Sequence, residues 1–169
     1  ERLVGSEMCI RDRTYPVFTA IAAPEVQNKL NGDFAIIAGP YLQNLATGGC
    51  ELDYTLTFVS EKFISMVFFG VLDEGEKEIF AKIPLNIDVQ TGAQLALGDV
   101  LNLRDADLLP VLRLLTKKDK VDFSKGIPES WYYNGTNFVF CQRSEIGEWL
   151  EATVAASDLK KFLLKPELF

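Results

Sequence analysis

Asp88 and Asp99 flank a Thr-Gly turn in the run IDVQTGAQLALGDV, and paired carboxylates are what acid–base or glycoside-cleaving chemistry would need, at a controlled separation. Beside a turn, however, an aspartate more simply accepts the free N–H groups of the turn and of the cap that follows, and that is the expected role of both. The acidic run Asp73, Glu74, Glu76 and Glu78 could attract calcium, but its spacing does not fit an EF-hand loop, so a solvated hairpin tip is expected. The chain contains 0 histidines, which rules out Ser-His-Asp, Cys-His and His-ligated zinc schemes. It also lacks a G-x-S-x-G, a phosphate-binding loop and a G-x-G-x-x-G. The sequence therefore points to no enzyme, no metal and no cofactor.

Aromatic residues are the other candidates. Trp131, Tyr132 and Tyr133 are consecutive in a strand-like segment, and neighbouring strand residues point to opposite faces, so at least one of Tyr132 and Tyr133 should be exposed. Exposed aromatics favour protein partners and sugar rings, which makes Tyr132, Tyr133 and Trp149 the candidate ligand-binding residues; ordinary sheet packing is the competing role. Cys50 and Cys141 would suffice for one long-range bridge or would pack as free thiols, and Cys141 lies in the apolar run FVFC where burial is expected in either case.

These residues must be positioned by a chain of 169 residues, 48% hydrophobic, long enough for one substantial core. Its 17 basic and 24 acidic residues give a net charge of -7, which repels a phosphate backbone and argues against nucleic acid. Every apolar stretch is interrupted well short of a membrane-spanning length. The first thirteen residues, ERLVGSEMCIRDR, share no pattern with the rest, and SEMCIRDR resembles translated sequencing-adaptor sequence, so residues 1–13 are expected to be a non-native tail and 14–169 a single domain.

Residues 15–22 read as a short strand. A helix then opens at Pro24-Glu25 with Val26, Leu30, Phe34, Ile37, Tyr41 and Leu45 on one face, and Gly39-Pro40 should kink or break it near Ala38. After Gly48-Gly49 the period becomes two: Leu52, Tyr54, Leu56 and Phe58 should share a face, FISMVFFGVL, apolar in both phases, should be central, and Ile79 to Val89 should form the clearest strand, with Pro84 on an edge or at a bulge. Leu95 to Leu97 return briefly before Gly98-Asp99 release the chain. A second helical region covers 103–118, capped by Asp107, with Leu108, Leu112 and Leu115 as its buried stripe. SWYY, a type I′ turn at Asn134-Gly135, NFVFCQR and EWLEATVA complete the strands, and Ser157-Asp158 caps a short closing helix. Strands that pair with sequence neighbours while helices stand apart give an α+β fold: an antiparallel meander with an N-terminal helix and one or two others on one face.

The order strand, NIDVQTGAQLALGDVL, Leu-rich helix, hairpin, aromatic strand and ASDLKKFLL resembles the RsiV-like domain family of bacterial cell-surface proteins. The resemblance rests on Asp88, Thr91-Gly92, Leu95 and Leu97-Gly98-Asp99-Val100, on Ser157 to Lys161, and on the early helix EVQNKLN, and covers roughly residues 15 to 164. A Gly-Gly-Ala-His segment common in that family is replaced here by FGVLDEGEKEIFAK. The resemblance implies a monomeric extracytoplasmic module of the cell envelope, anchored through an N-terminal part absent from this chain. In one branch such a domain senses host lysozyme for an anti-sigma factor; in another it accompanies a peptidoglycan deacetylase. It thus implies non-catalytic recognition of a protein or peptidoglycan-type ligand, with a carboxylate-only glycan hydrolase or a structural spacer as alternatives.

Overall fold

A computed structural model describes residues 4–9, 13–19, 23–43, 50–73 and 78–169. Strands β1 (Val4–Cys9) and β2 (Arg13–Phe18) form an antiparallel hairpin, so the backbone of the suspected tail runs as a strand against the first expected one. Helix α1 (Pro24–Gln43) follows. A four-stranded antiparallel sheet is then built from β3 (Cys50–Val59), β4 (Phe63–Asp73), β5 (Glu78–Asp88) and β6 (Ala93–Gln94), in sequence order. The one-turn helix α2 (Leu97–Val100) and helix α3 (Leu108–Leu115) lead to a second sheet of β7 (Ser130–Tyr133), β8 (Asn137–Arg143) and β9 (Trp149–Ala155), again a meander. A 3-10 helix at Ala156–Phe162, tighter than the α-helix expected there, and a last short one at Pro166–Leu168 close the chain. The α+β class and antiparallel meander are as the sequence indicated.

The central position of β4 follows from its two apolar phases: Phe63, Ile64, Met66, Val67 and Phe68 are all essentially inaccessible. Ile64, Met66 and Phe68 face α1, where Val26, Leu30 and Phe34 form the buried stripe, joined by Leu85 and Ile87 of β5 and by Val89 just past its end. Phe63 belongs to the second cluster, shared by α3, β7, β8, β9 and the closing 3-10 turn. The helices, expected on one face, are therefore divided between two cores.

Five local expectations are corrected. Of the kink or break expected at Gly39-Pro40, the break does not occur, since helix α1 is continuous to Gln43; Ile36, whose carbonyl finds no N–H donor on Pro40, is 75% exposed, so water can supply the missing donor. The face expected of Leu52, Tyr54, Leu56 and Phe58 does not hold through Phe58, because a bulge at Thr57 shifts the register and sends Phe58 to the side of Phe63 and Tyr133, leaving Leu56 partly exposed; the Leu52 side chain lies outside those described. Leu108 and Leu112 are buried, but Leu115 is 42% exposed because α3 ends there and the chain turns away. Asp107 stands at the N-cap of α3 without a side-chain cap bond, its carboxylate turned to Lys161. At the β7–β8 turn the positive φ falls at Gly135, and the Asn134 side chain accepts from the N–H groups of Thr136 and Asn137. Ile37, Tyr41 and Leu45 of the α1 stripe, Asp73, Glu74, Glu76 and Glu78 of the acidic tip, and Cys50 lie outside the residues or side chains described.

The two sheets are not joined by a strand ladder. Ser65 Oγ donates to Asn86 Oδ1 at 2.7 Å, Asn86 Nδ2 donates to the Trp131 carbonyl at 2.7 Å, and the Tyr133 N–H donates to Ser65 Oγ at 2.8 Å. Both side chains are buried, and between them they stand in for a neighbouring strand along β7.

Among the described residues the only strand paired to the outer side of β5 is β6, and only at Ile87 and Asp88. Leu95 N–H donates to the Asn86 carbonyl, and Trp149 Nε1 to that of Phe80, which shows that the even-numbered residues turn their backbone groups outward. Pro84 has the same parity, so its missing N–H falls on the edge, as its place in the sequence suggested.

Candidate functional site

Asp88 and Asp99 do what turn residues do. Asp88 Oδ1 accepts from the N–H groups of Gln90 and Thr91, and its other oxygen lies 3.7 Å from Lys165. Gly92 closes that turn at φ +65°, with Val26 Cγ1 only 3.0 Å from where a Cβ would sit. Asp99 Oδ2 accepts from the Ala96 N–H at the start of α2. Each carboxylate is thus engaged by the backbone of its own turn or cap.

The three aromatic candidates separate. Tyr133 is buried, with Phe58, Phe138 and Phe169 rings 5.0, 5.6 and 5.0 Å away, and burial raises its phenol pKa. Tyr132 is on the opposite face of β7 but is only half-exposed, since the sheet of β4 and β5 lies over it. The expectation that one of the two would be exposed therefore gives way to one core residue and one covered residue. Tyr132 OH donates to Glu151 Oε1 at 3.1 Å, and Lys82 Nζ sits 5.3 Å from the ring centre; desolvation, then the Glu151 carboxylate, push the phenol well above its ordinary range.

Glu151, on β9, is the hub that sequence reasoning missed. Its Oε1 takes the Lys82 ammonium, the Tyr132 hydroxyl and, at 3.9 Å, the Cys141 thiol. Lys82 is only 12% exposed at its side chain and also lies 5.7 Å from the Phe69 ring centre. Such a half-covered ion pair holds its orientation because each partner is the other's replacement for water. The available signal was cross-strand: Lys82 alternates with apolar residues on β5, and Glu151 sits opposite Cys141 in the β8–β9 register.

Trp149 and Phe80 stand beside this hub. The indole N–H on the Phe80 carbonyl, 3.4 Å away, fixes the ring between two hollows. The larger, about 1030 Å³ and open to solvent, is walled by Phe80, Trp149, Glu151 and the β8–β9 turn Ser144–Glu148, with Lys120 and Arg143 at its rim. The smaller, about 410 Å³, lies on the side of Pro128 and Gln142. Ile146 at the tip of the turn is 82% exposed and Phe80 53%. Tyr132 and Trp149 are thus brought to one region, and Tyr133 is not.

Cys141 is a free, buried thiol, the packed alternative of the two open for it. Burial first, with Lys82 opposing and Glu151 adding, pushes its pKa up to about 12. In the native protein at pH 8 Cys141 should alkylate on the order of 10³-fold more slowly than an unfolded thiol, checked by peptide mapping with and without urea. The raised value also means that this thiol favours the folded state below pH 9.0 and that the contribution is lost as pH climbs towards about 12, since the unfolded thiol ionises first.

No family model matches the chain, and no curated protein matches it. Among solved structures, it is similar to a member of the DUF3298 family from Bacteroides fragilis, with a TM-score of 0.64 at 14% identity over 89% of this chain and 83% of that one. It is likewise similar to a DUF3298 family protein from Pseudomonas aeruginosa, with a TM-score of 0.63 at 13% identity over 99% of this chain and 95% of that one. At such identities the likeness is one of fold, and the fold this chain shares is that of DUF3298 family proteins.

Proposed function

We propose that this chain is an RsiV-like binding or sensing module of the bacterial cell envelope, which recognises a protein or cell-wall ligand without turning it over. The observation that carries the proposal is the open hollow beside Trp149: a pinned indole and an exposed Phe80 on one wall, charged groups on the rim. Aromatic anchors with a polar rim are the usual make-up of a recognition surface. The motif of Asp88, Thr91-Gly92 and Asp99, which carries the resemblance to cell-surface domains, supports the setting, and its carboxylates are engaged in turn and cap bonds.

The test is retention of the full chain on purified peptidoglycan and on immobilised lysozyme. Specific retention on either is expected, with no sugar released into solution. Release of soluble saccharides would replace the proposal with a hydrolase, and no retention on any envelope component would leave a spacer.

A further inference from the structure

We infer that the hollow beside Trp149 takes a neutral saccharide chain, with Trp149 as the stacking platform and Glu151 as the hydrogen-bond acceptor; this rests on the binding role proposed above and names its ligand class. Glu151 is already oriented: Lys82, Tyr132 and Cys141 all hold Oε1, and no donor among the described residues reaches Oε2. A carboxylate can only accept, so whatever meets Oε2 must bring a donor. Lys82 already balances the charge of Glu151, so the donor that fits is an uncharged hydroxyl or amide and not a second cation.

Beside this acceptor lies an apolar ring with a fixed edge. The indole N–H is occupied by the Phe80 carbonyl, so Trp149 offers contact area with little rotational freedom to lose. A sugar ring has an apolar C–H face and a girdle of hydroxyls, matching an indole and a free carboxylate oxygen side by side. The hollow, at about 1030 Å³, is larger than most single small-molecule sites and open, as a chain passing through requires. Lys120 and Arg143 on the rim add donors for ring and acetamido oxygens.

The experiment titrates the full chain with the N-acetylglucosamine tetramer, with a cellulose-derived tetramer and with oligolysine, following tryptophan emission in the unaltered chain and the heat of binding in that chain and in every variant. Trp131 is 2% exposed, so a ligand-induced shift reports Trp149. The expected result is saturable binding of at least one saccharide and none of oligolysine, weakened about tenfold or more by Trp149→Ala and several-fold by Glu151→Gln. Trp149→Phe, which keeps a ring, should retain part of the affinity and guards against a folding defect in the alanine variant. Saccharide binding untouched by both Trp149 variants, or preference for oligolysine, overturns the inference. Retention on lysozyme without any saccharide binding also overturns it while leaving the binding role standing; failure to bind every envelope component removes both.

Discussion

Asn86→Leu should destabilise the protein by on the order of 3 kcal/mol, although the side chains are similar in size. Asn86 is 2% exposed and supplies both the acceptor for Ser65 Oγ and the donor for the Trp131 carbonyl. A leucine strands both groups away from water, and a buried unsatisfied polar group costs roughly 1–3 kcal/mol. Urea unfolding is the measurement. Ser65→Ala removes a hydroxyl that also serves the Tyr133 N–H, so the two substitutions share partners, and the double variant should depart from additivity by about 0.5–3 kcal/mol. A loss for Asn86→Leu within the ~0.5 kcal/mol typical of surface changes would mean that packing alone joins the sheets.

Phe63→Ala should cost more, about 3–5 kcal/mol, because it deletes the ring on which the second core is assembled. Phe63 is wholly inaccessible and lies 5.2 Å from Phe169, 6.0 Å from Phe58, 6.2 Å from Tyr133 and 6.4 Å from Trp131, centre to centre. It begins β4, where any backbone movement large enough to fill the void would break the pairing with Asp88. For a chain of this length the melting temperature should fall by roughly 10 °C, at 2–4 °C per kcal/mol. Phe69→Ala on the same strand, 43% exposed, is the comparison and should cost much less. Equal losses would show that the two cores are not organised as described.

Periodicity made the strands legible. Ile83, Leu85, Ile87 and Val89 share the face that alternation gave them, and β4 is central because both its phases are apolar. Where a single residue resets the phase, the pattern misled: Thr57 carries no mark that would announce a bulge, and Phe58 consequently changed sides. Of the site, Trp149 and Tyr132 were visible as aromatics on strands, but the hub was not. Glu151 and Lys82 look like solvated charges when each strand is read alone, and they meet only because the second sheet folds over the end of the first. Ser65 and Asn86 were hidden for the same reason: a polar residue on an apolar strand does not say which distant backbone it will serve.

The outer border of β5 has a consequence for molecules kept close together. An unpaired strand is a template on which another chain can add and start a fibril. Here Pro84 offers no donor, the Phe80 carbonyl is taken by an indole, and β6 covers Ile87 and Asp88, so an incoming strand meets an obstacle at three places along the border. A residue proposed to grip a ligand thus also blocks growth along this edge, because vacating that carbonyl would lengthen the stretch on which another strand could add.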